Sequence, residues 1–101
     1  MSIRSVIESN GLEEVAELSS GDWDWSTTGV YFQRSSGLFF ILEDGGCSCN
    51  YYGEDVNDLS DLDQVSRERA ISAIVDFAGG GYLAASADDV QREIAKVRDF
   101  R

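Results

Sequence analysis

The sequence contains no histidine and no proline, only two cysteines, and only eight basic residues against 19 acidic ones. Without imidazole the chain has no His-based triad, no His-ligated metal and no side chain whose unperturbed pKa lies near neutrality, so most hydrolytic chemistry has nothing to stage it. No enzyme activity and no cofactor are expected. Without proline, every turn must be made by Gly, Asn, Asp and Ser. No apolar run approaches the ~20 residues that cross a bilayer, and the opening MSIRSVIESNG lacks the apolar stretch of a signal peptide. The expectation is a soluble, cytoplasmic protein that does not engage membranes. The scarcity of Lys and Arg argues against direct nucleic-acid binding, because phosphate contacts need clustered bases.

What is present is enough for one domain over residues 1–101, with 43% hydrophobic residues and 11% aromatic. A chain of this length buries roughly two-thirds of its unfolded surface. Ile3, Val6 and Ile7 fall at helical spacing, Asn10-Gly11 reads as a stop, and Leu12, Val15, Ala16 and Leu18 resume a helical pattern with Glu13, Glu14 and Glu17 opposite. From Asp22 the period becomes two: DWDW and GVYFQR predict a strand with a bulge at Gly29, SSG at 35–37 a turn, and LFFIL at 38–42 the returning strand. Residues 43–63 read as a long loop, with Ser60 and Asp63 spaced as a capping box for a helix that runs to about Ala78 and ends at GGG, 79–81. Ser86 and Asp89 cap a last helix carrying Val90, Ile94 and Val97. The fold class is therefore α+β, a small antiparallel hairpin or sheet at 22–42 packed with three to four helices.

The charge is regional. Residues 5–66 hold 13 acids and one base, Arg34, whereas residues 67–101 hold six of each. The densest part comprises Glu43, Asp44, Glu54, Asp55, Asp58, Asp61 and Asp63. Such a field attracts basic surfaces, and a small acidic protein can present carboxylates where the phosphates of a nucleic acid would lie. The alternative is that the acids confer solubility and nothing more.

The stretch EDGGCSCNYYGED sets Cys47 and Cys49 one residue apart. A structural zinc site needs four ligands, usually with wider spacing, so Glu43, Asp44, Glu54 or a second copy of the chain would have to complete one. A redox pair is a second reading, although the flanking acids would raise rather than lower the thiol pKa. A third reading makes the segment a tight turn, with the cysteines as small buried hydrophobes and reduced thiols.

The strand LFFIL is apolar on both faces, Leu38, Phe40 and Leu42 on one and Phe39 and Ile41 on the other. Either helices cover both faces, or Phe39 and Ile41, with Tyr31, form an exposed interface that would pair two copies as a homodimer.

The segment TGVYFQRSSGLFFILEDGGCSCNYYGEDVNDLSDL, with the helix after it, resembles small proteins encoded by tailed phages of actinobacteria. The resemblance covers residues 24–78 and rests on a strand ending in an acid, then Gly46-Cys47-Ser48-Cys49, an aromatic-containing stretch and Asp61-Leu62 before a helix. Asn50 stands where that pattern commonly has proline. The resemblance implies a phage origin and a host-cytoplasm setting, and no particular activity. Together with the acidic segment it leads to the expectation of a protein that binds and modulates a host or rival protein through a basic surface. The alternative is a metal-binding or redox-responsive protein centred on Cys47 and Cys49.

Overall fold

The computed structural model describes residues 2–21, 23–78 and 87–101. Helix α1 (Ile3–Asn10) leads into strands β1 (Leu12–Gly21), β2 (Asp24–Gln33) and β3 (Leu38–Cys47), followed by β4 (Asp63–Val65) and helices α2 (Arg67–Ala78) and α3 (Ala87–Asp99). The strands form one antiparallel sheet in the order β1-β2-β3-β4. This is the α+β class expected, with a sheet twice as wide as a hairpin and three α-helices among the described residues.

Both faces of the sheet are covered. On one, Val15, Leu18, Val30, Phe39 and Ile41 pack with Ala70, Ala73 and Ile74 of α2 and Val90 and Val97 of α3. On the other, Leu12, Tyr31 and Phe40 pack with Ile3 and Val6 of α1 and with Val56 and Leu62 of the loop before β4. The double-sided apolar character of β3 is thus answered within the monomer, because a strand buried on both faces needs no alternation. The expected interface of Tyr31, Phe39 and Ile41 is corrected accordingly. All three are buried, Tyr31 to 1% exposure, and Tyr31 lies on the opposite face from the other two. With them goes the basis for pairing two copies through the hairpin.

Residues 12–21 are a strand, where the spacing predicts a helix. The cause is a β-bulge: Glu14 pairs with Tyr31 and Ala16 with Val30, so Val15 is an extra residue in β1. An extra residue shifts the alternation by one and lets Val15 and Ala16 both face the helices α2 and α3, imitating helical spacing. The bulge predicted at Gly29 lies here instead, and Gly29 pairs regularly with Glu17 and Leu42. Helix α1 does end as read: Gly11 takes a left-handed φ of 63° and its N–H bonds the Ile7 carbonyl.

Strand β3 runs five residues past Leu42, with Gly45 opposite Ser26, Gly46 opposite Trp25 and Cys47 opposite Asp24. Trp23 stands outside the strands, 79% exposed, although DWDW reads as part of the predicted strand. The capping box belongs to Asp58 and Asp61, around a 3-10 turn at Leu59–Asp61, and not to Ser60 and Asp63. Helix α2 begins later than predicted, where the Ser66 hydroxyl accepts the Arg69 N–H at 3.1 Å. The GGG stop and the Ser86 cap lie outside the described residues.

The C-terminal end closes the helical face. Phe100 meets Phe32 and Phe39 at ring-centroid distances of 5.1 and 6.2 Å. The Arg67 guanidinium lies 4.9 Å from the Phe39 ring centroid and donates from Nη1 to the carbonyls of Val97 (2.7 Å) and Phe100 (2.8 Å). One cation thereby caps α3, covers an aromatic ring and starts α2.

Candidate functional site

The acidic segment lies along the β3 side of the sheet and is stitched to it by its own polar groups. Asp44 accepts the N–H of Gly45 and of Gly53, both at 2.9 Å. Asp58 accepts the Leu59 N–H at 2.8 Å, and Asp61 accepts those of Asn57 at 2.9 Å and Asp58 at 3.2 Å. Three of the seven predicted acids are therefore occupied in shaping the loop. Glu43, Glu54, Asp55 and Asp63 make no side-chain hydrogen bond or ion pair among the described residues. The five ion pairs of the described residues, Arg34–Glu13, Arg69–Asp76, Arg92–Asp89, Lys96–Glu93 and Arg98–Asp99, all lie outside 43–63. The negative charge of this segment is uncompensated from within.

The cysteine turn follows directly on β3. Cys47 and Cys49 are joined as a disulfide and both are exposed, so they are neither buried small hydrophobes nor free thiols. The two sulphurs are bonded to each other, and among the described residues of the single chain no group of three or more Cys, Asp or Glu is placed to hold a metal. The turn is held by Trp25 and by Asn50, the residue that stands where the resembling motif has proline. Trp25 Nε1 donates to the carbonyls of Cys47 (2.9 Å) and Asn50 (3.2 Å), and Asn50 Oδ1 accepts the Cys47 N–H at 2.8 Å. A side chain at Gly46 would collide with the Asn50 amide, which explains the glycine before the first cysteine.

A cleft of 380 Å³ opens beside α1 on the same face as Tyr31. Its walls carry Ile3 and Ile7 from α1, Glu14 and Glu17 from β1, and Tyr31, Tyr51 and Tyr52. The tyrosines form a relay: Tyr31 Oη donates to Tyr52 Oη at 3.0 Å, and Tyr52 Oη donates to the Leu42 carbonyl at 3.1 Å. Burial is the main reason the Tyr31 hydroxyl is pushed up to about 12, and burial likewise raises that of Tyr52. Both stay neutral and serve as polar, hydrogen-bonded floor. Gly29 makes room for them, since a Cβ there would collide with both hydroxyls. The Glu14 carboxyl is held above the usual range, first by burial and then by the charge of Glu17.

The sequence reading set Glu14 and Glu17 on one face of a helix, whereas the cleft forms on a strand, where residues three apart fall on opposite faces under regular alternation. The bulge at Val15 returns them to one face, Glu14 opposite Tyr31 and Glu17 opposite Gly29. Among the described residues, no helix is long and apolar enough to cross a membrane. No curated protein and no solved structure matches the chain. Residues 1–100, by contrast, match the family described as Domain of unknown function (DUF7574), and the chain belongs to that family.

Proposed function

We propose that this is a cytoplasmic binding protein, without catalytic activity, whose acidic segment docks on the basic surface of a protein partner and blocks access of nucleic acid to it. One observation carries the reading: seven acids at 43–63 have no base among them, and every ion pair of the described residues lies elsewhere. A solubilising surface mixes its signs, whereas a single-sign field left unpaired favours encounter with an opposite one. The resemblance to small phage proteins makes a host or rival protein the natural partner, by association rather than by chemistry.

Glu54, Asp55 and Asp63 have no structural duties, so E54Q/D55N/D63N isolates the field from the fold. The experiment is capture of a partner from host lysate, its identification, and measurement of its affinity at two salt concentrations with both forms of the protein. The reading requires affinity that falls with salt and falls again in the variant, together with competition by nucleic acid. Equal affinity for the two forms at low salt would sink it.

The exposed Cys47–Cys49 pair favours a second reading, a redox-responsive turn, because an exposed disulfide is open to attack by a thiolate. Full-length protein whose partner affinity changes on reduction, and does not change in C47S/C49S, would support it.

A further inference from the structure

We infer that the cleft between α1 and the sheet is a binding site for a cationic side chain, the ammonium of a lysine or the guanidinium of an arginine, presented by a polypeptide. The inference deepens the proposed function, since a basic protein surface is the source of such a group, and it rests on that reading only for the identity of the donor.

The cleft combines what a cation on an aliphatic stem requires. Ile3 and Ile7 supply an apolar wall for the methylenes. Tyr51, 65% exposed, and the half-buried Tyr52 supply aromatic surface and Glu14 and Glu17 negative charge, so that attraction from an aromatic ring adds to attraction from carboxylates. An anionic ligand is disfavoured by the same two carboxylates. A purely apolar ligand would leave them without a partner beside it.

The carboxylates are not neutralised from within. Glu17 accepts only the Ser19 hydroxyl at 3.3 Å, and Glu14 makes no hydrogen bond or ion pair among the described residues. Arg4 lines the cleft but is exposed and forms no ion pair with either. Lys96, the other base near Glu14, is engaged by Glu93 at 2.8 Å. Two like charges are thus held on one exposed face by a bulge, with no base paired to either, so a cation entering the cleft meets both. Bulges commonly re-aim side chains beside functional sites, and this one sets the pair.

The probe is N-acetyl-lysine methylamide, with the norleucine analogue as its uncharged counterpart, each titrated into the isotope-labelled full chain and followed by backbone amide shifts. The expected result is saturable movement at residues 3–7, 14–17 and 51–52 with the lysine compound and none with norleucine. Affinity should fall at least about tenfold in E14Q/E17Q, which removes both charges while keeping shape. Tyr51 is 65% exposed, so Y51A is safe for the fold, and it should weaken binding by about two- to fivefold. E54Q/D55N/D63N should leave the titration unchanged even where partner capture is lost, so the two readings fail separately. Equal shifts from norleucine, movement confined to 54–63, or no saturable movement would each overturn the inference.

Discussion

The side-chain carboxylate of Glu93 accepts the backbone N–H of Glu17 at 2.9 Å, joining α3 to the open edge of β1. An edge strand with free N–H groups invites pairing with other chains, and a buried carboxylate on one of them is a specific block. Glu93 also holds Lys96 at 2.8 Å, so its remaining oxygen is satisfied.

Glu93→Ala should lose about 1–3 kcal/mol, because an edge N–H and a lysine are both left without their partner. Glu93→Gln can still accept the Glu17 N–H and should lose less. Denaturant unfolding gives the difference, and amide exchange at Glu17 should accelerate in the alanine variant before that of β2 does.

Arg67 binds three ways at once, so its closest substitute should fail. Arg67→Lys keeps the charge but loses the planar group that lies over Phe39 and reaches the Val97 and Phe100 carbonyls. A loss of about 1–2 kcal/mol is expected. Thermal unfolding measures it, with fraying of the last turn of α3 visible in amide exchange.

Gly29→Ala places a methyl group against the hydroxyls of Tyr31 and Tyr52 and should destabilise by about 1–3 kcal/mol. Adding Tyr52→Phe removes one of the two obstacles. A double variant no more stable than Gly29→Ala alone would show that the hydroxyl relay is not what the glycine accommodates.

These two tyrosines mark the limit of what the sequence discloses. Alternation across LFFIL places Phe39 and Ile41 opposite Leu38, Phe40 and Leu42, because a strand allows nothing else, and the sheet obeys it. Asn10-Gly11 stops α1 for a local reason that needs no tertiary contact. Residues 12–18 are misread because one extra residue converts alternation into an i, i+3, i+4 pattern, and a bulge has no local signature when the residue in it is valine. The acids of the loop are visible as charge, but their division into shaping residues such as Asp44 and unpaired ones such as Asp55 depends on which N–H groups lie near. The cleft combines four segments, α1, β1, β2 and the stretch at 51–52, brought together only by folding.

Glu14 supplies a test in pH. Its folded-state pKa lies above the ordinary value, so the native state favours the protonated form. The stability this gives is complete below the unfolded pKa and lost as pH rises through the folded one. At pH 7 the penalty is therefore in place, and Glu14→Gln should be more stable than the parent by a few tenths of a kcal/mol, on the order expected for a screened site. At about pH 3, below the ordinary carboxyl range, the gain should vanish. A variant that gains equally at both values would point to packing instead of charge.

The cysteine turn is checked by counting thiols. The unreduced, denatured protein should show none and the reduced protein two, given the Cys47–Cys49 bond. C47S/C49S should keep its fold, since Trp25 and Asn50 hold the turn through backbone groups that substitution leaves in place. A change in the amide shifts of α2 or α3 in that variant would contradict this.

The extra residue at Val15 makes β1 a place where chain length carries information. Deleting one residue between Glu14 and Ala16 would restore a regular strand, but the halves on either side of it could no longer both stay in phase with β2. Either Leu12 would turn from α1 toward α3, or Ala16 and Leu18 would turn the other way, and Glu14 and Glu17 would part to opposite faces. Substitutions in this stretch are judged by size and polarity, whereas insertions and deletions are judged by parity. In this chain the count of residues from Gly11 to Leu18 therefore decides whether Glu14 and Glu17 share the cleft or stand on opposite faces.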